Sequence, residues 1–388
     1  MPENSLKNKT DYKRLGDYIR EVDSRNRDLA VTKLMGINIG KFFMPSVANV
    51  IGTDLSNYKV VFRNCFACNL MHVGRDEKIP IALHDTDEKI IISPAYFVFE
   101  ISKPEELLPA YLMMWFRRSE FDRNAWFYTD SDVRGGMSKD AFCDLKLPIP
   151  PISRQREIVA EYETLTRRIR LNERLISTLE SAAQTLYRRT FVENIDPARL
   201  PPGWRTGTLG EIAEINPRLS IKKGEEAFFV EMEALPTKGF FIQEIQRREF
   251  SGGAKFQNGD ILFARITPCM ENGKVAVASE IPQNEVAFGS TEFIVLRGRS
   301  FSLSAFLATL VRNEDFRSYA KSHMKGTDGR QRVDSSALEV YKVLIPPEEE
   351  LTAIESKLSS LIGLSLSYMR ENKTLTKIQN LLLARIGE

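Results

Sequence analysis

Short apolar runs separated by turn residues fill residues 12–151 of the chain. Runs such as Lys59–Phe62, Lys89–Ser93 and Tyr96–Ile101 have the length and the β-branched and aromatic content of strands. A helical pattern over Glu106–Phe121 follows them. This part of the chain is therefore predicted to be a strand-rich domain with a helix near its end.

Residues 204–347 follow the same plan a second time. Strands are predicted at Asp260–Ile266, Lys274–Ala278 and Glu292–Arg297, and a helix is predicted at Leu303–Lys321. The second stretch is therefore predicted to be a strand-rich domain of the same kind.

The repetition extends to individual residues. Leu15–Asp17 matches Leu209–Glu211, and Ile149–Pro151 matches Ile345–Pro347. The shift between the two copies stays at about 195 residues. A shift this steady indicates that one ancestral unit was duplicated. The protein is therefore expected to present two similar surfaces in pseudo-twofold relation, which suits a target made of two parts.

Each copy ends in a proline pair, and a long amphipathic segment follows it. Proline is tolerated at a helix start but not in a helix interior, so a long helix is predicted to begin just beyond each pair. In the first segment the apolar positions alternate in steps of four and three, which is a heptad repeat. The predicted seam residues are Ile158, Tyr162, Leu165, Ile169, Asn172, Ile176 and Leu179 in the first helix, and Ile354, Leu358, Leu361, Tyr368, Leu375 and Leu382 in the second.

Neither helix can leave such a stripe exposed to water, so the two helices are predicted to pack on each other as an antiparallel coiled coil. Asn172 on the seam would disfavour slipped registers at some cost in stability. The alternative is that each helix packs on its own domain.

The predicted fold class is α+β, with two strand-rich domains in pseudo-twofold symmetry separated by the long two-helix antiparallel coiled coil. The predicted segments are 1–151 (first domain), 152–192 (central helix), 193–347 (second domain) and 348–388 (C-terminal helix). A helix of about 37 residues is roughly 55 Å long. Such a pair would hold two domains apart by one to two turns of B-DNA, each about 34 Å.

Composition is that of an ordinary globular protein, with 43% hydrophobic and 27% charged residues and a net charge of +2. Nucleic-acid binding would therefore need locally concentrated positive charge, or a partner that supplies some of it. The four unevenly placed cysteines do not form a disulfide framework. We expect no signal peptide, no membrane span and a cytoplasmic location.

Known catalytic motifs are missing, so an enzyme is not expected. The chain has no phosphate-binding P-loop and no dinucleotide fingerprint, and its three histidines are scattered. Cys65 and Cys68, with His72 and His84 downstream, have a spacing that could hold zinc. The cysteines lie in an apolar run and the second copy lacks them, so neither a metal nor another cofactor is expected.

Two pairs of loops are the strongest candidates for a binding site. Each pair holds arginine, lysine and amide side chains at matching places in both copies. Arginine can bond guanine, glutamine and asparagine can bond adenine, and lysine can neutralise phosphates. The alternative is that these are solvated turns with incidental charge. The candidates are Arg265, Thr267, Asn272 and Lys274 on a predicted hairpin that turns through Asn-Gly, Asn69, His72, Arg75 and Lys78 on its counterpart, Arg330, Gln331 and Arg332 on the second loop, and Arg134 and Lys139 on its counterpart.

The layout resembles the specificity subunit of a type I restriction-modification system. The resemblance covers nearly the whole chain and is carried by Leu209–Ile212, Gly259–Arg265, Gly273–Ala276, Gly329–Arg332 and Pro150–Ile158. The proline-led start of the long helix is the most specific of these. The first domain departs from the pattern, with Asn64–Ala67 in place of the Gly-Asp strand entry and Arg134–Met137 in place of Gly329–Arg332.

This resemblance implies a non-catalytic reader of double-stranded DNA. Each recognition domain would read one half of a bipartite site, and the helices would set the unread gap. Two methyltransferase subunits would dock on the chain, and restriction and translocase subunits would complete the complex. The alternatives are a single-chain DNA-modifying enzyme and a helical scaffold that does not bind DNA.

Overall fold

The computed structural model of the chain describes residues 12–386 with short gaps, at 48–51, 72, 74–76, 130–134, 194, 197, 300–302 and 328. The chain forms two compact units. The first unit combines Met1–Ile169 with Thr374–Glu388, and the second unit is Arg170–Lys373. Each unit therefore holds one strand-rich region and a part of both long helices. The boundaries between the units lie inside the two long helices, which were predicted as separate segments.

The first unit is built from short strands and three helices. Its elements are β1 (Tyr12–Arg14), β2 (Ile19–Glu21), β3 (Met35–Asn38), β4 (Phe42–Pro45), β5 (Lys59–Val61), β6 (Phe66–Cys68), β7 (Ile81–Leu83), β8 (Ile90–Ile92), β9 (Phe97–Ile101), α1 (Pro109–Phe116), α2 (Ser119–Phe127), α3 (Lys139–Asp144) and β10 (Lys146–Pro148).

The second unit repeats this order with additional strands. Its elements are β11 (Arg205–Thr208), α5 (Leu209–Ile212), β12 (Ala213–Ile215), β13 (Glu226–Val230), β14 (Gln246–Glu249), β15 (Ala254–Phe256), β16 (Ile261–Ala264), β17 (Val275–Val277), β18 (Ala287–Gly289), β19 (Phe293–Gly298), α6 (Ser304–Arg312), α7 (Glu314–Ser322), β20 (Met324–Lys325), β21 (Arg332–Val333), α8 (Ser335–Glu339) and β22 (Lys342–Ile345). The long helix α4 (Ile152–Arg188) comes before β11 in the chain, and the long helix α9 (Glu348–Arg385) follows β22.

The main sheets of the two units have the same topology. The order is β2–β9–β6–β7 in the first unit and β12–β19–β16–β17 in the second, and all neighbours are antiparallel. The outer pairs β1–β10 and β11–β22 also correspond. The repeat in the sequence thus has a counterpart in the strand order, and the predicted mixture of strand-rich regions and long helices is confirmed.

Buried aromatic rings join each main sheet to its helices. In the first unit Phe66 stacks on Phe99 with ring centroids 5.1 Å apart, and Phe116 of α1 meets Phe66 edge-on at 5.7 Å. In the second unit Phe263 meets Phe316 of α7 edge-on at 5.6 Å. Such pairs add about 0.5–1.5 kcal/mol each beyond their buried area. The helices that follow each sheet are therefore fixed parts of its core.

The helix predicted near the end of each copy is in fact two helices. Asn313 separates α6 from α7 with an extended backbone (φ −65°, ψ 143°), and its side chain accepts a hydrogen bond from the Asp315 amide at 2.8 Å. Arg118 has a similar conformation (φ −72°, ψ 140°) between α1 and α2. The hydrophobic period runs through both breaks, which is why the sequence pattern did not reveal them.

Two long helices follow the two strand-rich regions. The central helix is α4 and the C-terminal helix is α9, with the bounds given above. In the first unit Gln379 donates a hydrogen bond to Thr166 Oγ1 at 2.7 Å. In the second unit Asn172 donates one to Asn372 Oδ1 at 2.9 Å. The partner's number falls as the number along the central helix rises, so the helices pair antiparallel.

A buried polar side chain at the start of each long helix ties that helix to its sheet-covering helices. Gln155 of the central helix is fully buried, and its Oε1 accepts a hydrogen bond from the Leu108 amide at 2.9 Å, just before α1. Glu355 of the C-terminal helix accepts bonds from the Ala305 and Phe306 amides at 3.1 and 2.7 Å. These amides belong to the first turn of α6, where helix N–H groups lack intrahelical partners.

Replacing Glu355 with alanine should destabilise the second unit by about 1–3 kcal/mol, because two buried amides would lose their acceptor. Urea denaturation of the full chain measures the change. The matched control is Lys357→Ala on the exposed face of the same helix, which should change the free energy of unfolding by less than about 0.5 kcal/mol. Equal effects of the two substitutions would contradict the capping role.

Candidate nucleic-acid interface

The two candidate loops of the second unit lie side by side. The Thr267 amide donates to the Gln331 carbonyl at 3.0 Å, and the Gln331 amide donates to Thr267 Oγ1 at 3.2 Å. Ile266 and Arg332 form an isolated antiparallel bridge between the same segments. The 265–274 loop and the 326–332 loop, separated by more than 50 residues of sequence, therefore form one surface.

The 265–274 loop is not the tight Asn-Gly hairpin that the sequence suggests. β16 and β17 do pair antiparallel, but the loop between them folds on itself. The Met270 amide donates to the Ile266 carbonyl and the Asn272 amide donates to the Pro268 carbonyl, both at 2.9 Å. Gly273 follows with a φ of 74°, a conformation that glycine adopts at no steric cost.

Arg332 is held by a carboxylate of its own domain. Its Nε lies 3.0 and 2.9 Å from the two Glu292 oxygens, and its Nη2 lies 2.7 Å from one of them. Hydrogen bonding to Arg332 keeps the pKa of Glu292 below its usual value. The guanidinium is thus bonded to Glu292. Arg332 therefore serves to orient the 326–332 loop rather than to present a free guanidinium to a base.

Lys274 and Arg265 differ in how far they are engaged within the second unit. The Lys274 ammonium donates to the Met232 carbonyl at 2.9 Å and is half-buried. Arg265 has a buried Nε that finds no hydrogen-bond partner among the described residues, and it borders an open cavity of about 320 Å³ whose lining includes Lys255 and Thr291. Arg265 is therefore the candidate that has unused hydrogen-bonding capacity beside a cavity.

The side chains most accessible on this surface are Arg330 and Asn272. Both are exposed, whereas Gln331 and Thr267 are half-buried. Since no hydrogen bond or ion pair of the Arg330 guanidinium is found within the described part of the chain, its donors are available to an external acceptor. The surface thus combines a free cation, two amides and a hydroxyl.

The corresponding loops of the first unit also meet. The Met137 amide donates to the Leu70 carbonyl at 2.8 Å, which joins the 69–78 loop to the 131–139 loop. Asn69 caps its own loop, because its Oδ1 accepts from the Met71 amide at 2.9 Å. The Lys139 ammonium pairs with Glu21 at 2.6 Å and lies 5.0 Å from the Phe97 ring centroid.

Lys78 is exposed on the first-unit surface. His72, Arg75 and Arg134 were also proposed for this surface, and they lie outside the described residues. The structure therefore joins the two first-unit loops through backbone atoms, as it does in the second unit.

The cysteine pair considered as a zinc site lies inside the first-unit core. Cys65 and Cys68 are both buried, and burial raises the pKa of each thiol. His84 Nε2 donates a hydrogen bond to the Glu88 carbonyl oxygen at 2.6 Å. Among the described residues, no three histidine, cysteine or acidic side chains are grouped as metal ligands.

The proposed seam residues of the central helix all lie on its covered face. Tyr162 and Asn172 are buried and the other five are half-buried. On the C-terminal helix Ile354 and Leu358 are buried, and the remaining four are half-buried. Farther along that helix the buried residues are Ile362, Ser365 and Leu383, and the buried Ile386 directly follows its end. The buried residues Ile362 and Leu383 therefore lie one position beyond the proposed seam residues Leu361 and Leu382.

A family model named type I restriction modification DNA specificity domain matches residues 201–377. This stretch contains the strands of the second unit, both of its candidate loops and most of the C-terminal helix. Residues 201–377 are therefore similar to type I DNA specificity domains. The first unit has the same order of strands in its main sheet as this matched stretch and a corresponding contact between its two loops.

Curated relatives carry the same description. The chain is 35% identical over 178 residues to the type I restriction enzyme EcoEI specificity subunit of Escherichia coli, covering 44% of this chain and 30% of that protein. It is 33% identical over 192 residues to the EcoAI specificity subunit of the same organism, covering 48% of this chain and 32% of that protein. The matched part spans about a third of each relative's length.

A solved structure gives the fold of the whole chain. The S subunit of a type I restriction-modification system from M. genitalium superposes with a TM-score of 0.57 and 15% identity, covering 99% of this chain and 98% of that chain. At this identity the likeness concerns the fold alone. The fold of this chain is therefore similar to the fold of that S subunit. None of the helices among the described residues is apolar and long enough to cross a bilayer.

The sequence did not reveal the groups that hold the two candidate loops of the second unit in place. Glu292 orients Arg332, and the Met232 carbonyl holds Lys274. Glu292 stands at the start of β19, where one acidic residue looks like any other, and a backbone carbonyl leaves no mark in the sequence. The buried Asp260–Arg297 pair, with contacts of 2.6 and 2.7 Å, followed from no periodic pattern either.

The Asn172–Asn372 pair of the helix seam should show strong coupling. Asn172→Leu alone should lower the free energy of unfolding by about 1–2 kcal/mol, because it removes the partner of a polar amide. Asn172→Leu combined with Asn372→Leu should recover at least wild-type stability, since apolar seam pairs are more stable than asparagine pairs. Urea denaturation of both singles and the double gives the coupling energy. Additive losses would show that the two amides do not act as a pair.

Proposed function

We propose that the chain is the DNA sequence-recognition subunit of a type I restriction-modification complex and that it has no catalytic activity of its own. Each unit reads one half of a bipartite double-stranded site. The observation that carries the proposal is the union of two polar loops on one surface of a specificity domain, together with the same union in the first unit. The names of the curated relatives support the same function.

The candidate side chains of the second unit have two proposed roles, which are contact with DNA and support of the loops. Arg330, Asn272, Gln331 and Thr267 are the groups proposed to contact DNA, because they are exposed or half-buried at the junction of the loops. Arg332 contributes by keeping the 326–332 loop in place through Glu292. Phosphate contacts would position the duplex, and base-edge contacts would select its sequence.

The long helices are proposed to set the unread gap and to dock two methyltransferase subunits. Their antiparallel pairing supports a fixed length, because the seam contacts lock the register of one helix against the other. The methylation and cleavage chemistry would belong to the methyltransferase, restriction and translocase partners. With a net charge of only +2, the chain alone is expected to bind DNA weakly and salt-dependently.

Arg330→Ala should weaken discrimination at one half-site by about 1–3 kcal/mol and leave the other half-site unaffected. Fluorescence anisotropy on duplexes mutated in one half at a time measures both effects. The matched control is Lys238→Ala, which removes an exposed cation of the same unit outside both loops and should not change sequence preference.

Three other results would point elsewhere. Equal loss at both halves would exclude independent reading by the two units. Binding without any sequence preference would favour a helical scaffold over a reader. Methylation or cleavage by the purified chain alone would identify a single-chain enzyme.

One heptad inserted beside Asn172, and one beside its partner Asn372, should lengthen the unread gap while both half-sequences stay the same. Seven residues extend a helix by about 10 Å, which corresponds to at most about three base pairs at 3.4 Å each. Selection of bound duplexes from a library with randomised gaps measures the length. An unchanged gap would mean that the helices do not set it.

A further inference from the structure

Three consecutive aromatic residues are exposed at the end of α2 in the first unit. Trp126 is 50% exposed, Phe127 is 82% exposed and Tyr128 is 56% exposed. We call these three residues the aromatic tip. Folded proteins seldom leave such a group in water unless it contacts a ligand or partner.

The backbone of the aromatic tip is hydrogen-bonded to the end of the helix that precedes it. Phe127 and Tyr128 meet edge-to-face with ring centroids 5.7 Å apart at 89°. The Tyr128 and Thr129 amides donate to the Ala125 and Trp126 carbonyls, three residues earlier, both at 3.1 Å. A hydrogen-bonded backbone lowers the conformational entropy that binding would cost.

A buried ion pair fixes the helix that carries the tip. The Lys41 ammonium lies 2.7 Å from Asp122 Oδ1, and both side chains are at most 10% exposed. Lys41 also donates to the Phe116 carbonyl. Asp122 lies one helical turn before Trp126, so the tip extends directly from this clamped part of α2.

The same aspartate joins the helix that carries the tip to a candidate DNA loop. Asp122 Oδ1 accepts a hydrogen bond from the Ile79 amide at 3.2 Å, and Ile79 directly follows the 69–78 loop. The aromatic tip therefore extends about one helical turn beyond the contact between α2 and the end of this loop.

The second unit has different chemistry at the corresponding helix end. The repeat aligns Trp126, Phe127 and Tyr128 with Lys321, Ser322 and His323 at the end of α7. Lys321 pairs with Glu271 of the 265–274 loop at 2.9 Å. In that unit the helix end therefore touches the candidate DNA loop with a cation, whereas the first unit presents bare aromatic rings at the equivalent place.

We propose that the aromatic tip contacts the first half-site as a wedge that stacks on, or inserts between, its base pairs. This inference rests on the proposed DNA-reading function. Apolar wedges partly unstack a base step and kink the duplex. Pyrimidine–purine steps unstack most easily, so the first unit would select such a step through its deformability as well as through base-edge contacts.

The test uses the full chain at low salt and a duplex enriched by that chain from a randomised library. 2-Aminopurine placed in turn at each step of the enriched site brightens when its stacking is lost. We expect wild-type protein to raise the fluorescence at one step in one half-site only. Phe127→Ala should abolish that rise and weaken binding about 5- to 150-fold, the range for one base–aromatic stack.

Matched variants separate stacking from general effects. Phe127→Trp keeps a stacking surface and should retain the fluorescence rise. Leu29→Ala removes another exposed apolar side chain of the first unit and should leave both readouts unchanged. Because Phe127 is largely exposed, its replacement should not alter the melting curve of the protein, which circular dichroism checks.

The outcomes distinguish this inference from the function on which it rests. Enrichment of a bipartite site with no fluorescence rise and no loss in Phe127→Ala would overturn the wedge and leave the reader intact. Failure to enrich any site would overturn both. Unchanged DNA binding by Phe127→Ala with loss of a copurifying methyltransferase would also overturn the wedge, because the tip would then be a protein-docking surface.

Discussion

The constraint on which the structure depends is the burial of the two long helices in the cores of both units. Tyr162 of the central helix belongs to the first-unit core, and Ala183 and Tyr187 of the same helix belong to the second-unit core. The C-terminal helix does the reverse, with Leu358 in the second-unit core and Leu383 in the first. These helices are therefore structural members of the domains and not detachable spacers.

This arrangement separates what must stay constant from what can vary. The main sheets, the covering helices and the long helices form the same frame in both units. The loop surfaces lie outside that frame and differ in chemistry, with an exposed Arg330 in one unit and the aromatic tip in the other. Two loop surfaces built on one frame can thus diverge in their chemistry without disturbing the cores.

The sequence predicted the parts of the fold that have a period or a repeat. The duplication, the strand-rich regions and the heptad stripe all leave regular marks, and so did the residues of the paired loops. The breaks at Asn313 and Arg118 were missed because the hydrophobic period continues through them. Roles that depend on contacts distant in sequence, such as that of Glu292 with Arg332, leave no local signal. The shift of the buried stripe to Ile362 reflects the demands of a domain core beside the second helix.

The division of the chain has a consequence for its synthesis. The second unit is one continuous segment, Arg170–Lys373, whereas the first unit needs Thr374–Glu388 in addition to the N-terminal region. Leu383 and Ile386 are buried in the first-unit core, so that core stays incomplete until these two residues have left the ribosome. Domains usually fold in the order in which they are made. Here the half that is translated first is the half that is completed last.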